Sequence, residues 1–260
     1  MSEITTETLT VRDVELTLRR AGEGETLLLL HGANGSMSWL PIFEALAENY
    51  HVILPDHPGF GDTEAPGWMD NISDVSYFYL DVIEALGLDQ FHLAGHSMGG
   101  WIAAEIGVRD AHRIKSLTLI SAAGIRVDGT PMGDLFAWSP EETVGHVFAQ
   151  KSFRDQALAM EPNEAQIEVM LRNRQMAARL CWTPRLHNPD LRKWLHRLDL
   201  PTLILWGDSD GIFPEPYAHA YHELIPGSEL EVYENCGHVP MAEARDAFLG
   251  RLQAFTQGAA

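Results

Sequence analysis

The amino-acid sequence predicts an α/β fold: a mostly parallel, doubly wound sheet with one helical insertion. Three observations lead there. Short continuous apolar runs recur at Leu27–Leu30, Val52–Leu54, Phe91–Ala94, Leu117–Ile120 and Leu203–Trp206, which suits parallel strands buried on both faces. Helical patterns separate the first four runs, and strand–helix alternation is the signature of a sheet wound on both sides. The alternation then stops between about Ile125 and Leu198, where no strand-like run occurs.

The chain opens at Thr8–Leu18 with alternating apolar and polar residues broken at Asp13, which reads as two short antiparallel strands at a sheet edge. Helices follow at Trp39–Asn49, at Val75–Leu86 with Ser73 as N-cap, and at Met98–Arg109. Inside the insertion, Ser139-Pro140-Glu141-Glu142 is a capping box with Pro at the first helical position. Helical periodicity continues through Val144–Gln150, Ala165–Leu180 and Leu191–Leu198. After the run at Leu203–Trp206 come a helix near Pro216–Leu224, a strand at Leu230–Tyr233 and a closing amphipathic helix at Met241–Phe255. The expected organisation is a core of residues 1–124 and 199–260 carrying a cap of residues 125–198.

Composition narrows the function. The 260 residues suffice for one large α/β domain with an insertion. With 18 basic against 37 acidic residues the formal charge is −19, which disfavours nucleic acid and anionic lipid surfaces. No basic-then-apolar leader stands at the N-terminus, and no apolar run approaches a membrane span. Two distant cysteines, Cys181 and Cys236, make no disulfide framework. The expectation is a cytoplasmic protein without membrane insertion, monomeric or homodimeric. His222-Glu223 lacks the second His of a zinc helix, so no metal site is expected.

The segment Phe91–Gly100 runs from a buried strand through Gly95-His96-Ser97-Met98-Gly99 into a helix, the context of a nucleophile elbow. A Ser at the tip of so sharp a turn sits in strained backbone, and small residues on either side let strand and helix approach. The turn exposes Ser97 Oγ and places the Met98 N–H at a helix N-terminus, where it can donate to an oxyanion. A serine nucleophile also needs a base and a carboxylate that orients the base. Gly207-Asp208-Ser209-Asp210 follows one strand and Cys236-Gly237-His238-Val239-Pro240 follows another. His238 is the candidate base, Asp208 and Asp210 the candidate acids.

From these residues the chain resembles serine hydrolases of the α/β-hydrolase fold, of the compact esterase, lipase and meta-cleavage-product hydrolase kind. His31-Gly32-Ala33 and Asp56-His57-Pro58-Gly59-Phe60-Gly61 match two further motifs of that family. The resemblance covers nearly the whole chain and is weakest over the insertion, the family's variable cap. It implies the chain order Ser97, Asp210, His238 for the triad, with the acid three residues after Gly207, and an oxyanion hole made by the Met98 and Ala33 amides. It implies no cofactor. Asp at the nucleophile, as in haloalkane dehalogenases and epoxide hydrolases, is absent here.

Other polar residues read as structural: His31 buttresses the oxyanion loop, His96 packs or hydrogen-bonds locally, and Asp56 fixes the Gly59–Gly61 turn. The insertion is rich in Phe136, Trp138, Phe148, Phe153, Met160, Met170, Met176 and Trp182. Candidate pocket residues are Trp39, Phe136, Trp138, Phe148, Trp182, Phe213 and Val239, an apolar lining suited to a small-molecule ester. The rival within the same family is C–C hydrolysis of a meta-cleavage product; those enzymes usually carry Asn and Trp where this chain has His96 and Val239. A non-catalytic binding protein on the same fold is the third reading, set against the intact triad.

Overall fold

A computed structural model describes residues 3–36 and 40–259. Strand β1 (Thr5–Val11) and strand β2 (Val14–Ala21) form a hairpin in which Val11 faces Val14. Strand β3 (Thr26–Leu30) and helix α1 (Pro41–Ala47) lead to β4 (His51–Pro55) and α2 (Ile72–Ala85). Next come β5 (Phe91–His96), α3 (Met98–Arg109) and β6 (Ile114–Ile120).

Four helices then precede the next strand: α4 (Pro140–Val147), α5 (Lys151–Leu158), α6 (Glu164–Cys181) and α7 (Leu191–Trp194), the last running into a 3₁₀ turn at Leu195–Arg197. The chain closes with β7 (Thr202–Gly207), α8 (Pro216–Leu224), β8 (Glu229–Tyr233), α9 (Pro240–Glu243) and α10 (Arg245–Gly258).

The eight strands lie in the order β1-β2-β4-β3-β5-β6-β7-β8. Pairs β1–β2 and β2–β4 are antiparallel and the other five parallel. Alternate residues of the central strands feed two separate cores. Leu28, Leu30, Leu93, Leu117, Leu119 and Ile204 pack with α2, α3, α8 and the insertion, while Leu27, Leu29, Ala94, Ile120, Leu203 and Leu205 pack with α1 and α10. Burial on both faces is why these strands read as continuous apolar runs rather than alternating ones.

Several boundaries differ from expectation. The N-cap of α2 is Asn71, whose Oδ1 accepts from the Asp74 N–H at 3.0 Å, whereas Ser73 lies within the first turn and takes a hydrogen bond from Arg109. The capping box at Ser139 is present but its helix stops at Val147, and a new helix starts at Lys151. The C-terminal helix is broken at Ala244, with φ −123° and ψ 36°. Trp39, at the expected start of the first helix, lies outside the described residues.

The insertion is tied down unevenly. Helices α4 and α5 bury no residue, whereas α6 buries Asn173, Met176, Ala177, Leu180 and Cys181. Met176, Ala177, Leu180 and Cys181, with Leu186, Leu191, Leu195 and Leu198, join the core shared with α2 and α3.

Candidate active site

Ser97 stands between β5 and α3 at φ 55° and ψ −116°, a left-handed conformation costly for a side-chain-bearing residue. The surrounding backbone imposes it. The Ser97 N–H donates to Ile120 O at 2.9 Å, and Ser97 O accepts from the N–H groups of Trp101 (3.1 Å) and Ala123 (3.0 Å). A Cβ at Gly95 would lie 2.2 Å from Gly99 O, and one at Gly99 2.1 Å from Leu30 O. Only glycine fits at either position, which is the steric reason for the Gly-x-Ser-x-Gly spacing.

Asp210 follows β7. Its Oδ1 accepts from the N–H groups of Ile212 (2.8 Å) and Phe213 (3.0 Å), and its Oδ2 from Nδ1 of His238 at 2.8 Å. Both side chains are almost fully buried. Because a carboxylate accepts at Nδ1, the neutral imidazole carries its proton there and leaves Nε2 as a lone pair. Asp208 does something else: it accepts from the N–H groups of Asn235 (3.1 Å) and Cys236 (3.3 Å), so it anchors the loop that presents His238. Burial raises its carboxyl, but the hydrogen bond from Ser209 Oγ at 2.8 Å, together with those from the Asn235, Cys236 and Ser209 amides, outweighs burial and holds it below the usual range.

His96 is a correction. The sequence points to local packing or a local hydrogen bond, whereas its Nε2 donates to the backbone O of His238, 142 residues away, at 2.8 Å, and the two rings lie 4.9 Å apart. Burial, reinforced by the neighbouring His238, pushes its pKa down to about 3.

The turn after β3 approaches from the other side. A Cβ at Gly32 would stand 3.2 Å from Ser97 Cβ, and the Gly35 N–H closes the turn onto Gly32 O at 3.0 Å. Among the described residues, the Ala33 and Met98 amides donate to no protein acceptor. His31 Nε2 accepts from the His57 N–H at 3.0 Å, so its Nδ1 carries the proton and donates to Gly32 O at 2.7 Å. Burial lowers His31 to about 4, which keeps this buttress neutral. His57 Nε2 donates in turn to His31 O, and its Nδ1 accepts from Tyr79 Oη at 2.6 Å.

Asp56 is a second correction. It makes no side-chain bond to the Gly59–Gly61 backbone; its Oδ1 accepts from Arg19 at 2.9 Å and from Ser36 Oγ. Gly61 instead donates to Asn173 of α6 at 3.0 Å.

The insertion reaches the site through its backbone. Val147 O accepts from the His238 N–H at 2.7 Å and His146 O from the Gly211 N–H at 3.1 Å. Glu243 accepts from the N–H groups of Gly237 and Gln150, each at 2.7 Å.

Of the aromatic candidates, Phe213 is fully buried with its ring 5.7 Å from that of His238. Trp138 stacks on His146 at 3.9 Å and packs over Gly133. Phe148 stacks on Phe153. Val239 packs on the core under α10. Phe136 meets Trp182 edge-on, and Trp182 is half exposed under the Arg185 guanidinium. Trp39 lies outside the described residues.

Residues 27–251 match the alpha/beta hydrolase family. The chain belongs to that family. Among its relatives, this hydrolase-family chain is 28% identical to Lipase 1 of Psychrobacter immobilis over 243 residues, 89% of this chain and 77% of the lipase. It is 26% identical to the 2-hydroxy-6-oxo-2,4-heptadienoate hydrolase of Pseudomonas putida over 254 residues, 91% and 90% of the two chains. A crystal structure of a membrane phospholipase A superposes with a TM-score of 0.82 at 28% identity, covering 98% of this chain and 86% of that one. The hydrolase family thus brings together relatives named as a lipase, a phospholipase and a dienoate hydrolase. No helix among the described residues is long and apolar enough to cross a membrane.

His96, Asn173 and Glu243 are not reached as site residues by sequence reasoning. Their bonds run to positions 142, 139 and 6 residues away, and only the last of these distances falls within a motif's reach.

Proposed function

We propose that this hydrolase cleaves carboxylic esters of apolar acyl or alcohol groups through an acyl-enzyme formed on Ser97. The observation that carries the reading is the buried Asp210–His238 hydrogen bond of 2.8 Å, which fixes the imidazole tautomer with Nε2 free to take a proton. Ser97 Oγ attacks the ester carbonyl while His238 Nε2 accepts the hydroxyl proton. The carbonyl oxygen becomes an oxyanion held by the amides of Met98 and Ala33, the first of them at the positive end of α3. His238 returns the proton to the departing alcohol oxygen. Water then enters, gives its proton to His238 and attacks the acyl carbon; collapse of the second oxyanion breaks the bond to Ser97 Oγ, which takes the proton back from His238 as the acid leaves. Asp210 stabilises the imidazolium in both halves.

Ester rather than carbon–carbon cleavage is supported by what lies next to the candidate base. Phe213, fully buried with its ring 5.7 Å from that of His238, offers an apolar wall rather than a partner for a dienoate carboxylate.

The test compares kcat/KM for short-to-medium p-nitrophenyl esters with that for a 2-hydroxy-6-oxo-dienoate, using Ser97→Ala as the blank. The ester is expected to win by roughly tenfold or more, equivalent to about 1.4 kcal/mol of transition-state binding. Preference for the dienoate would transfer the same residues to carbon–carbon hydrolysis. Turnover surviving in Ser97→Ala would remove Ser97 as the nucleophile.

A further inference from the structure

One side chain of the insertion reaches the turn that carries Ala33. Asn173, in the middle of α6, is 1% exposed and is the one buried polar residue among the described residues between 125 and 198. Its Nδ2 donates to Asn34 O at 2.7 Å, and its Oδ1 accepts from the Gly61 N–H at 3.0 Å. Asn34 is the third residue of the turn closed by the Gly35 N–H on Gly32 O. Gly35 has φ 83°, and a Cβ there would lie 2.4 Å from Asn173 Nδ2. The amide of Asn173 therefore occupies the space that a side chain at position 35 would fill, so the glycine and the asparagine are fitted to each other. The next residue, Ser36, donates to Asp56, which also holds Arg19. The turn is thus held by its own closing bond, by Asp56 through Ser36, and by Asn173 from outside the core.

We propose that Asn173 is a positioning residue for oxyanion stabilisation: by holding Asn34 O it fixes the turn and so aims the neighbouring Ala33 N–H at the substrate carbonyl on Ser97. The inference rests on the ester-hydrolase reading of that site. Two bonds from one planar amide determine where the turn sits relative to α6, and neither bond touches substrate. Losing Asn173 therefore disturbs the amide's aim rather than the affinity for the ground-state ester. Such a loss lowers kcat while leaving KM nearly alone.

Asn173→Asp is the discriminating variant. A carboxylate keeps an acceptor for the Gly61 N–H but has no donor for Asn34 O. Asn173→Ser, too short to reach either partner, is the second variant and is read in the same way if the first fails to accumulate. Both are compared with wild type for p-nitrophenyl ester turnover, thermal midpoint and the Ki of a trifluoromethyl ketone, which adds to a serine and carries an oxyanion. Expected is a kcat lower by roughly 10- to 100-fold, the scale of a misplaced group rather than a deleted one, with KM within about threefold. The Ki should rise by the same factor as kcat falls. Wild-type kcat in either folded variant overturns the proposal, as does a loss of kcat with an unchanged Ki. Ser97→Ala is assayed alongside. If it still turns over, the reading of the site fails; if it is dead while the Asn173 variants are normal, only the role of Asn173 fails.

Discussion

His96 Nε2 donates to the main-chain oxygen of His238 at 2.8 Å, so the residue before the candidate nucleophile holds the loop of the candidate base. A carbonyl only accepts, which places the His96 proton on Nε2. The length of the side chain then matters as much as its polarity. Gln carries its amide nitrogen about as far out as histidine carries Nε2, whereas the Asn amide stops one methylene short. His96→Gln should keep most of the kcat/KM for esters, and His96→Asn should lose roughly 10- to 100-fold through misplacement of His238. Equal activity in the two variants would show that the bond does not position the base.

The two acids after β7 divide their labour, one on the imidazole and one on the loop. Asp210→Asn puts an amide where the imidazole needs an acceptor and favours the wrong tautomer, an effect of about 10⁴ in the trypsin example. Asp208→Asn keeps an oxygen for only one of the Asn235 and Cys236 amides, which bond Oδ2 and Oδ1 respectively, so its cost should be on the scale of one lost hydrogen bond, about 1–3 kcal/mol or roughly 5- to 100-fold in rate, still well short of the Asp210 effect. Steady-state kinetics on matched preparations decide this. Greater damage from Asp208→Asn would reverse the assignment.

Buried neutral histidines also make stability depend on pH. His31 and His96 are lowered to about 4 and about 3, chiefly by burial, while in the unfolded chain each titrates near its model value of 6.5. As pH falls below 6.5, the unfolded state binds a proton that the folded state refuses, so stability falls with pH. Each histidine should remove roughly 1.5 kcal/mol between pH 6.5 and 5, and almost nothing above pH 7.5. Urea unfolding at pH 7.5, 6 and 5 gives the slope. His96→Gln should flatten it by about one histidine's share; a slope identical to wild type would contradict a buried, uncharged His96.

The strands and the elbow were legible because they depend on neighbours in sequence. Burial on both faces made Leu27–Leu30 and Leu203–Trp206 unbroken apolar runs, and the clash of any Cβ at Gly95 or Gly99 enforced the glycine spacing. The cap of α2 was misplaced because Ser73 and Asn71 are both good N-caps, and the choice was made by Arg109 drawing Ser73 away. The break at Ala244 left no mark in a pattern that remains amphipathic across it. Asp56 was misread for a different reason: local turn chemistry competes with a guanidinium from β2, and the charge-assisted bond is the stronger partner. His96 and Asn173 were out of reach, since their partners are set by how distant loops pack.

The hydrogen bonds from Gly211 and His238 to the carbonyls of His146 and Val147 bear on modularity. Grafting a shorter connection between β6 and β7, or exchanging the whole segment for that of a relative, would change more than the roof of the pocket. Two main-chain donors, one in the loop of each partner of the Asp210–His238 pair, would lose their acceptors. A chimaera therefore has to preserve the C-terminal turn of α4 and the residues that follow it, equivalent to 146–150, whatever else it replaces. Evolution of new specificity in this chain is correspondingly freer in α5 and the first half of α6, for which no hydrogen bond to either loop occurs among the described residues, than at the end of α4.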